Sequence, residues 1–111
     1  KEVAETFRKL APSNVTVKIH ESLPGVETDI NHPLCRAMVG AMRDSGLQPR
    51  YVKKHGSADM NITIHEGIPT IAYGPGDSSL DHTPNEVILL SDYEKAIEVV
   101  KRAMVNLKAA F

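Results

Sequence analysis

The sequence predicts an α/β fold, a partial open sheet with flanking helices, and three observations carry that expectation. Residues 68–73 form a short, continuously apolar run between Gly67 and Gly74, the pattern of a strand buried on both faces. Val15, Val17 and Ile19 alternate with Thr16 and Lys18, as in a half-buried strand. Around these runs lie segments with helical apolar spacing, and helices interleaved with short strands suit a layered α/β domain.

The elements follow in order. Val3, Ala4, Phe7, Leu10 and Ala11 recur at helical spacing, Pro12 stops that helix, and Ser13-Asn14 make a turn. After the alternating run, residues 20–30 lose periodicity and contain Pro24-Gly25, so they read as a connection. Residues 31–45 form the clearest helix of the first half. Asn31 is placed to cap it, Pro33 suits its first turn, and Gly46 sits where a left-handed C-cap is wanted. Leu34, Ala37, Met38, Ala41 and Met42 make its inner face. Residues 49–53 read as a short strand, and residues 55–66 as a loop followed by one or two helical turns. Residues 86–90 read as a second short strand. Ser91-Asp92-Tyr93-Glu94 has the form of a capping box. The helix it opens runs to about Ala110, with Tyr93, Ala96, Ile97, Val100, Met104 and Leu107 as the inner stripe.

At 111 residues the chain suggests one domain, expected to bury roughly 60–70% of its unfolded surface. A formal net charge of −1 and only 5% aromatic residues give no footing for nucleic acid. No apolar stretch approaches a membrane span, and no basic segment followed by an apolar run reads as a secretory signal within these residues. Cys35 is the only cysteine, which excludes an internal disulfide and points to a reducing, cytoplasmic setting. On its helix it reads as a small buried hydrophobe. Lys1 falls inside a helical pattern with no initiator Met, as in a piece of something longer.

The polar loop of residues 74–86 follows the apolar run, and in α/β sheets ligands sit beyond the carboxyl ends of strands. His82 could ligate zinc, with Asp77, Asp81 and Glu86 within reach along the chain; with no ligand-spacing partner, the spacing alone favours a solvated loop histidine or a partner of Asp81. Gly74-Pro75-Gly76 could expose backbone amides to an anion, or simply turn the chain. Gly56-Ser57-Ala58-Asp59 follows Arg50, Lys53, Lys54 and His55. It could hold a carboxylate, or Ser57 or Asp59 could cap a short helix. A Ser57 hydrolase lacks a G-x-S-x-G elbow. A non-catalytic module holding a small anion through Gly74–Gly76 and the basic cluster is the alternative from another class.

"GIPTIAYGPGDSSLDHTPNE", residues 67–86, resembles the carboxyl-terminal signature of the M20-type zinc-dependent amidohydrolases, in their acetyl-lysine and acetyl-ornithine deacetylase branch. "LPGVETDINHPLCRAMVGAM" and "RYVKKHGSADMN" fit the same family in order and spacing. The resemblance implies a carboxyl-terminal portion of a zinc-peptidase-like catalytic domain over residues 21–111, preceded by the last helix and strand of a lid or dimerisation domain over residues 1–20. It implies that His82 binds one of two zinc (or cobalt) ions and that Asn85 and Glu86 brace its loop. Arg50, Ser57, Asp59, Gly74 and Gly76 would meet the substrate. The G-S-A-D turn departs from a family G-T-S-D, so a hydroxyl is missing at position 58. The implied substrate is an N-acylated lysine- or ornithine-type amino acid, free or borne on an amino-group carrier protein, in cytoplasmic lysine or arginine biosynthesis. A succinyl-diaminopimelate desuccinylase is the runner-up. The other metal ligands and the general base of the family are absent from these residues. The chain alone is therefore expected to be inactive, and the parent to be a homodimer.

Overall fold

Four helices, α1 (Glu2–Leu10), α2 (Pro33–Asp44), α3 (Met60–His65) and α4 (Leu90–Lys108), with one 3-10 turn at Ser78–Leu80, make up the regular structure. The structure, a computed structural model, describes residues 2–53, 56 and 58–110.

Among the described residues there is no strand and no sheet, which corrects the α/β expectation. A helix closes its own hydrogen bonds, whereas a strand exists only if another strand accepts its N–H and C=O groups. The alternating run of residues 15–19 and the apolar run of residues 68–73 find no such ladder here. The segments read as strands at residues 49–53 and 86–90 fail in the same way. Residues 68–73 are instead tethered through side chains. The Thr28 hydroxyl donates to the Thr70 carbonyl and accepts from the Thr70 N–H at 3.2 Å. The Thr63 and Thr70 hydroxyls lie 2.8 Å apart, and the Asn61 amide donates to the Pro24 carbonyl at 3.1 Å. The connection of residues 20–30 thus runs along α3 and the segment after it.

The helices fall close to their expected places, with different caps. α1 ends before Pro12, and the Val15 N–H closes the following turn on the Pro12 carbonyl at 2.9 Å. α2 starts at Pro33, but its cap is His32, whose Nδ1 accepts from the Leu34 N–H at 3.2 Å; Asn31 instead binds Asp29. Gly46 adopts φ +74°, the left-handed geometry its place after α2 requires. α4 begins one residue before the expected capping box. Leu89 holds the cap position without a side-chain bond, so Ser91 lies inside the helix and caps nothing.

The core is where α2 and α4 pack. Ala41, Val99 and Ala103 form its buried cluster, with Met38, Met42, Leu47 and Tyr73 against it. The facing residues are small: Ala37, Gly40 and Ala41 on α2, and Ala96, Val99 and Ala103 on α4. Asn106 reaches across to the Ala37 carbonyl. Small side chains let two helix backbones approach closely, and that contact selects the Ala96–Val99–Ala103 face of α4. Of the expected inner stripe, Ala96 is buried and Leu107 half-buried, whereas Tyr93, Ile97, Val100 and Met104 are exposed. Cys35 is buried as expected. Burial, then the Asp29 charge, pushes its thiol above the ordinary range, the opposite of what an activated nucleophile needs.

The core is also smaller than the length suggested. The radius of gyration is 18.5 Å, against about 13 Å for a compact chain of this size. With 9376 Å² exposed, only roughly half of the unfolded chain's surface is buried.

Candidate functional site

The loop of residues 74–86 builds itself from short-range bonds. Asp77 caps the 3-10 turn by accepting from the Ser79 N–H at 2.9 Å. Hydrogen bonding from Ser79, through its hydroxyl first and then its N–H, holds the Asp77 carboxyl below the ordinary aspartate range. A lowered folded-state pKa means that the ionised form favours the turn. Its contribution is full above the ordinary aspartate pKa and is lost as pH falls through the folded value. Ser79 amide protection against hydrogen exchange is therefore expected to fall on acidification below the normal carboxylate range. Asp77→Asn should flatten that dependence.

Beyond the turn, Thr83 folds the chain back by donating both its N–H, at 3.1 Å, and its hydroxyl, at 2.7 Å, to the Leu80 carbonyl. The Asn85 N–H donates to the Thr83 hydroxyl at 3.3 Å, and the Glu86 N–H to the Thr83 carbonyl at 3.2 Å. This reversal brings the Glu86 carboxylate to the His82 N–H, 3.1 Å away. His82 has φ +63°, the only positive value at a non-glycine among the described residues. Left-handed backbone is uncommon at a residue bearing a Cβ, and here it is held by the Glu86 bond and the Thr83 reversal. The imidazole is exposed at the loop surface.

Glu86→Ala should free the His82 N–H at a cost of about 0.5–1.5 kcal/mol, the net worth of a typical hydrogen bond. The His82 amide resonance is expected to move upfield and its three-bond HN–Hα coupling to change. Glu86→Gln, which keeps an acceptor, should largely restore both.

The other predicted site residues are dispersed. Gly76 has φ +97°, and a Cβ there would come 4.0 Å from the Val87 carbonyl. A Cβ on Gly74 would meet nothing within 4 Å, so no close contact within the chain requires glycine there. Asp59 holds the cap position of α3 without a side-chain bond; Asn61 instead accepts from the Ala58 N–H at 3.0 Å. Arg50 is exposed. Lys53 is taken up by an ion pair with Glu27, which raises its pKa. Ser57, Lys54 and His55 lie outside the described residues. No hydrogen bond or ion pair among those described joins Arg50 or Asp59 to the loop. The Thr28–Thr63–Thr70 tether and the Glu27–Lys53 pair carry no local sequence signal, because their partners are far apart along the chain.

Among the described residues, no group of three or more His, Cys, Asp or Glu side chains could hold a metal ion. The described residues do not fit a metal by themselves: His82 offers one nitrogen, and a defined tetrahedral site takes at least three protein ligands. No described helix is long and apolar enough to cross a membrane.

Comparison with known proteins supplies the wider setting. The model of peptidase family M20/M25/M40 matches residues 3–106. A protein of Pyrococcus horikoshii, named provisionally as a [LysW]-lysine/[LysW]-ornithine hydrolase, is 47% identical over 91 residues, 81% of this chain and 28% of its own length. A Thermococcus kodakarensis protein of the same provisional name is 47% identical over 94 residues, 84% of this chain and 27% of its own. The [LysW]-lysine hydrolase of Deinococcus radiodurans is 42% identical over 88 residues, 75% of this chain and 24% of its own. The chain thus spans about a quarter of the length of these relatives. A family match over nearly all of the 111 residues, with the 67–86 signature inside it, places the chain in peptidase family M20/M25/M40.

Proposed function

We propose that these residues act within a longer, metal-dependent amidohydrolase that releases a lysine- or ornithine-type amino acid from an N-acyl linkage. The acyl partner in this reading is a carrier protein of the kind the relatives' names denote. The observation that carries the proposal is the family match across residues 3–106, together with relatives named as hydrolases of LysW-linked lysine and ornithine.

Within that reading His82 donates an imidazole nitrogen to a divalent ion, zinc or cobalt, of a two-ion centre. The remaining ligands and the general base lie outside this chain. A metal so held would supply Lewis acidity and an activated water. The chain's own part is to fix the direction of the His82 side chain through its left-handed backbone and the Glu86 bond. Gly74, Gly76, Arg50, Ser57 and Asp59 would meet the substrate. Residues 1–20 would close a lid domain, and residues 21–111 would complete the catalytic one.

The test uses a hybrid in which the matched segment of the P. horikoshii relative is replaced by this chain. The hybrid should bind metal and release lysine or ornithine from a carrier-linked substrate, while the 111-residue chain alone should show no turnover. Turnover by the isolated, metal-stripped chain would overturn the proposal, as would a metal-loaded hybrid inert on every N-acyl substrate of this class.

A further inference from the structure

One short stretch of the irregular connection, residues 24–28, reaches the segments that carry both candidate site turns. The Pro24 carbonyl accepts from the Asn61 side-chain amide at 3.1 Å, 37 residues on. The Thr28 hydroxyl binds the backbone of Thr70, 42 residues on. Between them Glu27 pairs with Lys53. Both partners of that pair are largely exposed, so it contributes little. The stretch therefore holds chiefly through Thr28 and Asn61.

The Thr28 contact replaces a missing strand. A hydroxyl has one proton to donate and lone pairs to accept with. Thr28 uses both on one residue, donating to the Thr70 carbonyl and accepting from the Thr70 N–H at 3.2 Å. A residue of a paired strand would make those same two bonds, and no strand makes them among the described residues. The Thr70 hydroxyl extends the link to α3. It lies 2.8 Å from the Thr63 hydroxyl, which donates to the Met60 carbonyl at 3.0 Å. With that proton committed, Thr70 is the donor to Thr63, and the Ile68 carbonyl at 2.9 Å is its other acceptor. All three threonines are half-buried.

These bonds set where the site turns stand. The 74–86 loop is closed by short-range bonds, which give it a shape but no place. Its place comes from its stem. Thr70 is fixed by Thr28 and Thr63, and Tyr73, next to Gly74, packs against the Ala41–Val99–Ala103 cluster. Asn61 plays the matching part for the other turn, accepting from the Ala58 N–H at 3.0 Å while donating to Pro24. No described hydrogen bond joins Asp59 to the loop directly, so residues 24–28 are the link between the two turns.

We infer that residues 24–28 are a positioning strap, through which Thr28 and Asn61 set the spacing between the Ala58–Asp59 turn and the 74–86 loop. The inference rests on the proposal that both turns serve one amidohydrolase site. Thr28 and Asn61 are positioning residues and act through the turns they hold.

Three variants test it. Thr28→Val keeps the branched shape and removes the hydroxyl; Thr28→Ser keeps the hydroxyl. Asn61→Asp keeps an acceptor for Ala58 and removes the donor to Pro24. In the free chain, the Thr70 amide should exchange about tenfold faster in Thr28→Val, as for loss of one hydrogen bond. The Ala58 amide resonance should shift with it, and Thr28→Ser should restore both. These readouts need neither metal nor turnover. In the hybrid, Thr28→Val should lower kcat per folded enzyme by about ten- to a hundredfold, the scale of a small misplacement, with KM little changed. Thr28→Ser should recover most of the rate. Asn61→Asp should lower kcat by about tenfold, again through misplacement. Both changes release the same strap, so the double variant should lose little more than the worse single one. Two unconnected structural defects would instead multiply. A Thr70 amide that exchanges no faster in Thr28→Val would overturn the strap. Full kcat in the Thr28→Val hybrid, or multiplying losses in the double variant, would overturn its role in the site. A hybrid inert on every N-acyl substrate counts against the amidohydrolase reading, and the Thr70 exchange and Ala58 shift then decide the strap by themselves.

Discussion

Replacing His82 by Ala in the metal-loaded hybrid is expected to lower turnover by more than about a hundredfold, the loss that changes merely supporting a metal ligand already reach. Bound metal should fall by one equivalent. His82 adopts left-handed backbone at φ +63°, a region that histidine occupies more readily than alanine. An Ala variant therefore mixes loss of the imidazole with disturbance of the loop. His82→Asn separates the two, because asparagine tolerates left-handed backbone far better and lacks the imidazole. If the ring nitrogen is the working part, His82→Asn should lose metal and turnover as fully as His82→Ala. Metal analysis and steady-state kinetics on both variants decide the matter. An Asn variant with full metal content and rate would show that position 82 matters only for its backbone.

The second large effect is on folding. Val99 is fully buried at the centre of the Ala41–Val99–Ala103 cluster. Burying a valine side chain contributes about 1.5–3 kcal/mol, a large share of what so small a core can supply. Val99→Ala should cost roughly 1–2 kcal/mol, from two methyl groups at about 0.8 kcal/mol each. Val99→Asp should go much further. It removes the apolar contact and places a carboxylate where the helices leave it neither water nor a partner, so it ionises at a heavy desolvation cost or stays protonated. Loss of cooperative α2–α4 melting by circular dichroism is expected. Met104→Asp, one stripe away and 67% exposed, should leave melting of the free chain within about 0.5 kcal/mol. That pair of variants asks directly which face of α4 holds the fold. Equal destabilisation by both would mean that the exposed stripe is packed in the free chain.

The same pair shows how far the sequence can be read. Apolar spacing located α4 to within a residue or two at each end, but it centred the inner stripe on Tyr93, Ile97, Val100 and Met104. The packed face is turned toward Ala96, Val99 and Ala103, because Ala37, Gly40 and Ala41 of α2 present a surface that only a close helix can fill. Sequence motifs near helix starts were similarly ambiguous. Ser91 and Glu94 have capping-box spacing, yet one extra residue at the start of α4 leaves Ser91 inside the helix. Asn31 was a plausible cap until His32 took the place with its ring nitrogen.

What the sequence determined by itself is local: the helices, the stops at Pro12 and after Asp44, the left-handed turn at Gly46, burial of Cys35, and the 67–86 signature that marks the family. Each depends on neighbours a few residues apart, and those are fixed by the order of side chains. Tertiary structure alone decided the rest. It denied a ladder to the extended runs at residues 15–19 and 68–73, joined Thr28 to Thr70, and drew Lys53 to Glu27. It also chose the packed face of α4, and it closed the Glu86 carboxylate onto the His82 amide in a loop whose sequence alone left several partners open. Strand pairing and helix-face selection depend on which distant surfaces meet, and a surface can satisfy an extended backbone or an apolar stripe only when it is present.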